Sequence, residues 1–167
     1  MQYEFMHYCT VSGGSVNELP FGQDERHPDC IALKLSLSNK LATLIDNGVK
    51  DFFINAEYGV PLWAGEILTG LRQIQGSSHR IHICIPYEEQ AARWSDEVRE
   101  RYYNLHETAD SVTMLRTRYT ENCYQETNHF MLNQSVMLLT DGGNVALSEY
   151  ARKSNKHIEK VPLTIAL

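Results

Sequence analysis

Three short glycine-bearing stretches carry the residue types most able to bind or act on a ligand. They are Ser12-Gly13-Gly14-Ser15 in VSGGSVNELPFG, Asn55-Ala56-Glu57-Tyr58-Gly59 in NAEYGVP, and Asp141-Gly142-Gly143-Asn144 in TDGGN. Each follows a short apolar run, and at least the last two lead into helical patterns. A glycine permits positive φ and puts no side chain between backbone and ligand. A helix beginning beyond it offers N–H groups with no intrahelical partner, which together with the helix dipole make an anion site. The same glycines could simply serve tight turns. Glu149, six residues beyond Gly143, is a weak candidate for a catalytic carboxylate.

Further polar groups follow the third apolar run, in IPYEEQAARW, where Pro86, Tyr87, Gln90 and Trp94 fall close together. Tyr87 could stack on a base or roof the edge of the core. Arg116, Arg118 and His129 form the only concentration of positive charge near these turns, and could meet a phosphate or lie on a solvated face. His79 and His82 stand in HRIH, where strand alternation puts them on opposite faces, so no metal site is expected, and no cofactor. The chain lacks a Ser-His-Asp order, a G-x-S-x-G elbow and a Walker pattern.

The elements that must position these turns are legible from periodicity. Strands are expected near Glu4–Thr10, Asp51–Asn55, Arg80–Ile85, Ser111–Leu115, Ser135–Thr140 and Val161–Ala166. Pro61, Ile67, Leu71 and Gly76 mark a helix with its first-turn proline and its stop. The run from Pro28 to Asp46 alternates with period two in IALKLSLS, yet Leu37, Leu41, Leu44 and Ile45 keep helical spacing, so one helix is expected. Glu88–Thr108 reads as one helical stripe that Ser95, followed by Asp96 and Glu97, could split. Strand and helix in alternation imply an α/β, Rossmann-like three-layer sandwich with a mainly parallel sheet, since parallel neighbours need crossovers. In such sheets the ligand crevice lies beyond the carboxyl ends of the strands, where all three turns would converge.

The 167 residues suit one domain, 1–167. No apolar run approaches a membrane span and no leader pattern opens the chain, so a cytoplasmic protein with no membrane partner is expected. A formal net charge of -6 argues against nucleic acid as the main partner. The four cysteines, with no C-x-x-C among them, read as buried free thiols.

LPFGQDERHPDCIALK, YGVPLWAGEIL, IPYEEQAARWSDEVRERYY and ENCYQETNHFMLNQSVMLL together resemble, in order, the signature blocks of the YpsA-like proteins over about residues 8 to 150. These belong to the SLOG superfamily, which also contains the DNA-processing protein A and the LOG phosphoribohydrolases. The resemblance implies a Rossmann-like sheet and a pocket for a nucleotide-like small molecule, with Asn128 among its residues, and leaves a homo-oligomer open. Several family-typical residues differ: Ser12-Gly13-Gly14-Ser15-Val16 replaces T-G-H-R-P, Pro61 stands at a usual acid, Thr127 at a usual Arg and Asn133 at a usual Asp. LOG enzymes resemble P-G-G-x-G-T-x-x-E where this chain keeps Gly142, Gly143 and Glu149 but has Val145 and Ala146. The resemblance therefore implies a binder or sensor of a nucleotide or nucleotide-derived ligand. A LOG-like nucleoside-monophosphate phosphoribohydrolase and an interaction module with a decayed pocket are the alternatives.

Overall fold

The computed structural model of the chain describes residues 7–162. Its elements run β1 (Tyr8–Ser12), α1 (Pro28–Asp46), β2 (Asp51–Ile54), α2 (Val60–Gln75), β3 (Arg80–Ile85), α3 (Asp96–Thr108), β4 (Ser111–Met114), α4 (Cys123–Asn133), β5 (Met137–Thr140), α5 (Val145–Lys153) and β6 (His157–Lys160). The six strands form one sheet in the order β4-β3-β2-β1-β5-β6, every neighbouring pair parallel. This is the Rossmann-like three-layer α/β sandwich that the alternation of elements implies. Strand order reverses direction at β1, between β2 and β5, so the switch point lies where β1 ends.

Side-chain alternation along the strands divides the core between the two faces. Phe52 and Ile54 of β2 join the large cluster with Leu33, Leu37 and Leu41 of α1, Trp63 and Leu68 of α2, and Tyr102 of α3. Phe53, between them in sequence, turns to the other face and packs with Cys84 and Met131 of α4. Leu138 of β5 meets Leu132, Leu147 and Ala151 there.

The period-two pattern in α1 is misleading by itself. The buried residues Cys30, Leu33, Leu37, Leu41 and Leu44 recur every three or four positions, and Lys34 reaches Glu25 rather than solvent alone. Pro28 opens this helix, with the His27 ring accepting a hydrogen bond from Asp29 N–H at 3.1 Å. Ser95 does split the Glu88–Thr108 stripe: its hydroxyl accepts from Val98 N–H at 3.3 Å and starts α3, while residues 88–94 remain turns.

The edge strands depart most from expectation. The last strand is His157–Lys160 rather than Val161–Ala166; Val161 and Pro162 lie beyond it, and 163–167 fall outside the described residues. Ile158 is its single aliphatic residue, because an edge strand with one half-buried side can be polar. The first strand begins at Tyr8 and continues to Ser12, while positions 4–6 of the expected strand lie outside the described residues. All four cysteines are free and buried, and burial pushes the Cys9 and Cys84 thiols up to about 12. No helix among the described residues is long and apolar enough to cross a membrane.

Candidate functional site

Because the sheet is parallel, the ends of β1, β2 and β5 bring the three glycine turns to one edge, and backbone hydrogen bonds lock them together. Val60 N–H donates to Gly14 C=O at 3.0 Å and Val16 N–H to Tyr58 C=O at 3.0 Å. Ser15 and Gly59 form an antiparallel bridge. Gly59 has φ 141°, and a Cβ there would collide with Gly14 O and approach Ser15 Cα at 2.8 Å. Only glycine fits that crossing.

The third turn joins through a side chain. Asp141, 8% exposed, turns its carboxylate back so that Oδ1 accepts from Gly14 N–H at 3.1 Å and from Gly143 N–H at 2.9 Å. Gly142 N–H donates to Thr140 Oγ1 at 3.0 Å. A Cβ on Gly13 would lie 2.5 Å from Asp141 Oδ1, and one on Gly143 would lie 2.6 Å from Gly14 N. Gly143 therefore needs its missing side chain for close approach and not for positive φ; in this turn Gly142, at φ 92°, supplies the left-handed step. The Gly14 and Gly143 N–H groups thus already hold a carboxylate of the protein itself.

The start of α2 behind these turns is likewise occupied. Val60 N–H is taken by Gly14, Pro61 has none, and Leu62 N–H donates to Glu57 C=O at 3.0 Å. At α5 the Asn144 side chain accepts from Leu147 N–H at 3.1 Å.

Two cavities open along this edge. The first, about 380 Å³, lies at the switch point and is lined by Gly14, Glu18, Leu19, Pro20, Phe21, Asp29, Leu33 and Asp141–Gly143. The second, about 760 Å³, spreads over the ends of β1 to β4, among Ser15, Val16, Asn17, Gln23, Glu57, Tyr58, Tyr87, Glu89, Gln90, Ala92, Arg93, Trp94, Tyr119 and Tyr124. Tyr87 stands edge-on to Tyr119 at 5.3 Å and to Tyr124 at 6.3 Å between ring centroids. The wall is therefore aromatic, with polar tips.

Glu57 is the unusual group in the larger cavity. Its backbone N–H is bonded to Asn55 Oδ1 at 3.0 Å, but no side-chain hydrogen bond or ion pair of Glu57 occurs among the described residues. Burial, with a smaller push from Glu18, raises its carboxyl to about 7. Ala56 beside it has φ 59°, left-handed for a residue with a side chain, so the turn is held in this form by its surroundings.

Asn55 and Asn128 act behind the cavity wall. Asn55 Nδ2 donates to Asn128 Oδ1 at 3.0 Å, and Gln90 Nε2 donates to Asn55 C=O at 3.0 Å, while Tyr102 O–H donates to Gln90 Oε1 at 3.0 Å. Pro86 and Ser12 are buried and line neither cavity. Arg116 lines neither cavity: it makes a two-pronged ion pair with Glu126, at 2.6 and 2.9 Å. Glu149 is exposed on α5 and lines neither cavity. The ring of His129 stacks on Tyr150 at 3.8 Å.

Sequence reasoning missed Tyr119 and Tyr124; the signal available was their position flanking the start of α4, which a parallel sheet delivers to the crevice edge. It also missed a polar set at the opposite ends of the strands. Asp51, the first residue of β2, accepts from Arg80 at 2.7 and 2.8 Å and pairs with His82 Nε2 at 2.7 Å, and His82 Nδ1 meets Ser111 Oγ at 2.6 Å. The three side chains stand in Asp-His-Ser order, but the two-pronged grip of Arg80 takes up much of the acceptor capacity of Asp51. The set ties β4, exposed at all four residues, to the rest of the sheet.

The sequence is similar to known proteins over most of its length. The family model YpsA, described as the YspA SLOG family, matches residues 9–165. A UPF0398 protein of Halalkalibacterium halodurans is 26% identical over 97% of this chain and 87% of its own length. One from Lysinibacillus sphaericus is 26% identical over 86% and 81%, and one from Shouchella clausii is 29% identical over 80% and 72%.

Proposed function

Since the chain belongs to the YpsA family of SLOG proteins, we propose that it binds or senses a nucleotide-derived small molecule in the crevice beyond the carboxyl ends of β1 to β4. The observation that carries this reading is the tyrosine-walled cavity of about 760 Å³ with the unpartnered Glu57 carboxyl on its lining. Its volume lies within the roughly 300–1,000 Å³ of ordinary small-molecule sites. Tyr87, Tyr119 and Tyr124 offer flat faces to a base, and Glu57 offers an acceptor to a ribose hydroxyl or an exocyclic amine. A half-buried carboxyl with no protein donor is a feature that a ligand donor would relieve.

Phosphoribohydrolase chemistry has less support. It would need Glu149 near an anomeric carbon and a cation such as Arg116 on the phosphate, whereas Glu149 lines neither cavity and Arg116 is engaged by Glu126.

The test is thermal stabilisation by a panel of nucleosides, mono-, di- and cyclic nucleotides, dinucleotides and ADP-ribose. A ligand at 100 times its dissociation constant adds about 2.7 kcal/mol, a melting rise of roughly 5–10 °C for a chain of this size. Glu57→Leu should abolish that rise while preserving the fold. Absence of any rise across the panel at near-saturating concentration would leave the decayed interaction module as the better reading.

A further inference from the structure

Resting on that binder reading, we infer that the crevice selects a nucleoside-class ligand carrying no phosphate, and that Asp141 is the residue that turns phosphate away. Phosphate-binding glycine turns work by presenting free backbone N–H groups to an anion. Here Gly14 and Gly143 present theirs to Asp141 Oδ1, at 3.1 and 2.9 Å. The glycines fit that internal bond closely, since a Cβ on Gly13 would lie 2.5 Å from the carboxylate oxygen and one on Gly143 would overlap the backbone of Gly14. The cradle has the form of an anion site and already contains its anion.

Charge around the cradle points the same way. The switch-point cavity is lined by Glu18, Asp29 and Asp141, and no Lys, Arg or His is among its lining residues. The adjoining larger cavity adds Glu57 and Glu89 against the single cation Arg93. A 5′-phosphate brought to this edge would have to displace a buried, doubly hydrogen-bonded carboxylate, and would face like charges where nucleotide sites place cations. A nucleoside avoids both costs. Its base meets the tyrosines, and its hydroxyls or amino groups supply the donor that Glu57 lacks. Because Glu57 titrates near neutral pH, it can serve as acceptor or donor to such a group.

The experiment measures dissociation constants of the four common ribonucleosides and their 5′-monophosphates by calorimetry, for the wild-type protein and for Asp141→Asn. Asparagine keeps the Oδ1 acceptor for Gly14 and Gly143 while removing the charge, and its melting temperature reports whether the turn survives. The expected result is at least one nucleoside binding about tenfold or more tightly than its own monophosphate. That preference should shrink several-fold in Asp141→Asn and should also shrink in the wild type as salt is raised, an arm that needs no variant. A monophosphate that binds as well as its nucleoside, or a preference indifferent to both the substitution and salt, overturns the selectivity and leaves the binder reading standing. Failure of all eight to bind overturns the nucleoside selectivity, and the binder reading falls with it only if the wider panel of cyclic nucleotides, dinucleotides and ADP-ribose also gives no melting rise.

Discussion

Glu25 and Glu57 are carboxylates held by the same corner of the molecule and treated in opposite ways. The Tyr58 hydroxyl, one residue from Glu57, donates to Glu25 at 3.0 Å. Glu25 also accepts from Arg101 at 2.7 and 2.9 Å and from Lys34, and Arg101 continues to Glu66. Burial pushes the Glu25 carboxyl up, but the bonds from Arg101 and Lys34 outweigh it and hold the group at about 2. Glu57 has the burial without the cations and rises to about 7. Where a carboxylate fastens the loop before α1 to α3, it is surrounded by donors; where it faces the tyrosine cavity, the donor is left to come from outside. The difference separates a structural acid from a binding candidate in a way that sequence position does not.

The largest effect should follow from removing the arginine that Glu25 shares with Glu66. Arg101→Met leaves Glu66 without this partner and Glu25 with only Lys34 and the Tyr58 hydroxyl, both carboxylates being only partly exposed, and should cost about 3 kcal/mol at pH 7, the low end for breaking a buried pair. Glu25 has a folded-state value below its unfolded one, so its contribution is present above about pH 4.5 and is lost as pH falls toward 2. The cost of the substitution should therefore diminish in acid, as denaturant melts at pH 7 and pH 3 would show. A loss under 1 kcal/mol at neutral pH would reclassify the network as an ordinary surface cluster.

Glu57 should show the opposite slope. Its folded-state value is raised, so the protein favours the protonated form more than the unfolded chain does; stability is full below about pH 4.5 and declines as pH climbs through 7. Glu57→Gln removes this penalty and should add about 2 kcal/mol at pH 8 while changing little at pH 4. Stability measured across pH 4–8 should be flatter in the variant. An unchanged slope would mean that Glu57 is solvated in the native state and that the comparison with Glu25 rests on the wrong residue.

The sequence displays the fold far better than the site. Leu37, Leu41 and Leu44, the Pro61 to Gly76 helix and the Ser95 cap all follow from local rules of spacing and capping, which depend on near neighbours. The convergence of the three glycine turns also follows, once a parallel sheet is inferred. What those glycines do does not follow. Gly14 and Asp141 are 127 residues apart, and whether an N–H faces a phosphate or a carboxylate of the same chain is decided by a side-chain rotamer. Arg116 and Glu126 are only ten residues apart, but an arginine in a loop has no periodic constraint to show that it is already paired. Tyr119 and Tyr124 escaped for a related reason, their common wall being created where the loop after β4 meets the first turn of α4. Edge strands are the remaining weakness of pattern reading, since β6 buries too little to require an apolar sequence.

The smallest effect sharpens the cause of the Glu57 elevation. Burial ranks first among its causes and repulsion from Glu18 second. Glu18 is exposed on the turn after β1, so its field reaches Glu57 partly through water, where even a close pair is worth about 1 kcal/mol. Glu18→Gln should accordingly lower the Glu57 midpoint by about half a pH unit or less, and added salt should reproduce most of that change in the wild type by screening. Carboxyl-carbon NMR titration of Glu57 reads the midpoint directly. Because desolvation is untouched by the substitution, the midpoint should stay well above the ordinary glutamate range. A collapse to about 4.5 in Glu18→Gln would mean that the elevation is mutual repulsion between two wetted carboxylates, and the cavity would then lack the dry wall on which a neutral ligand depends.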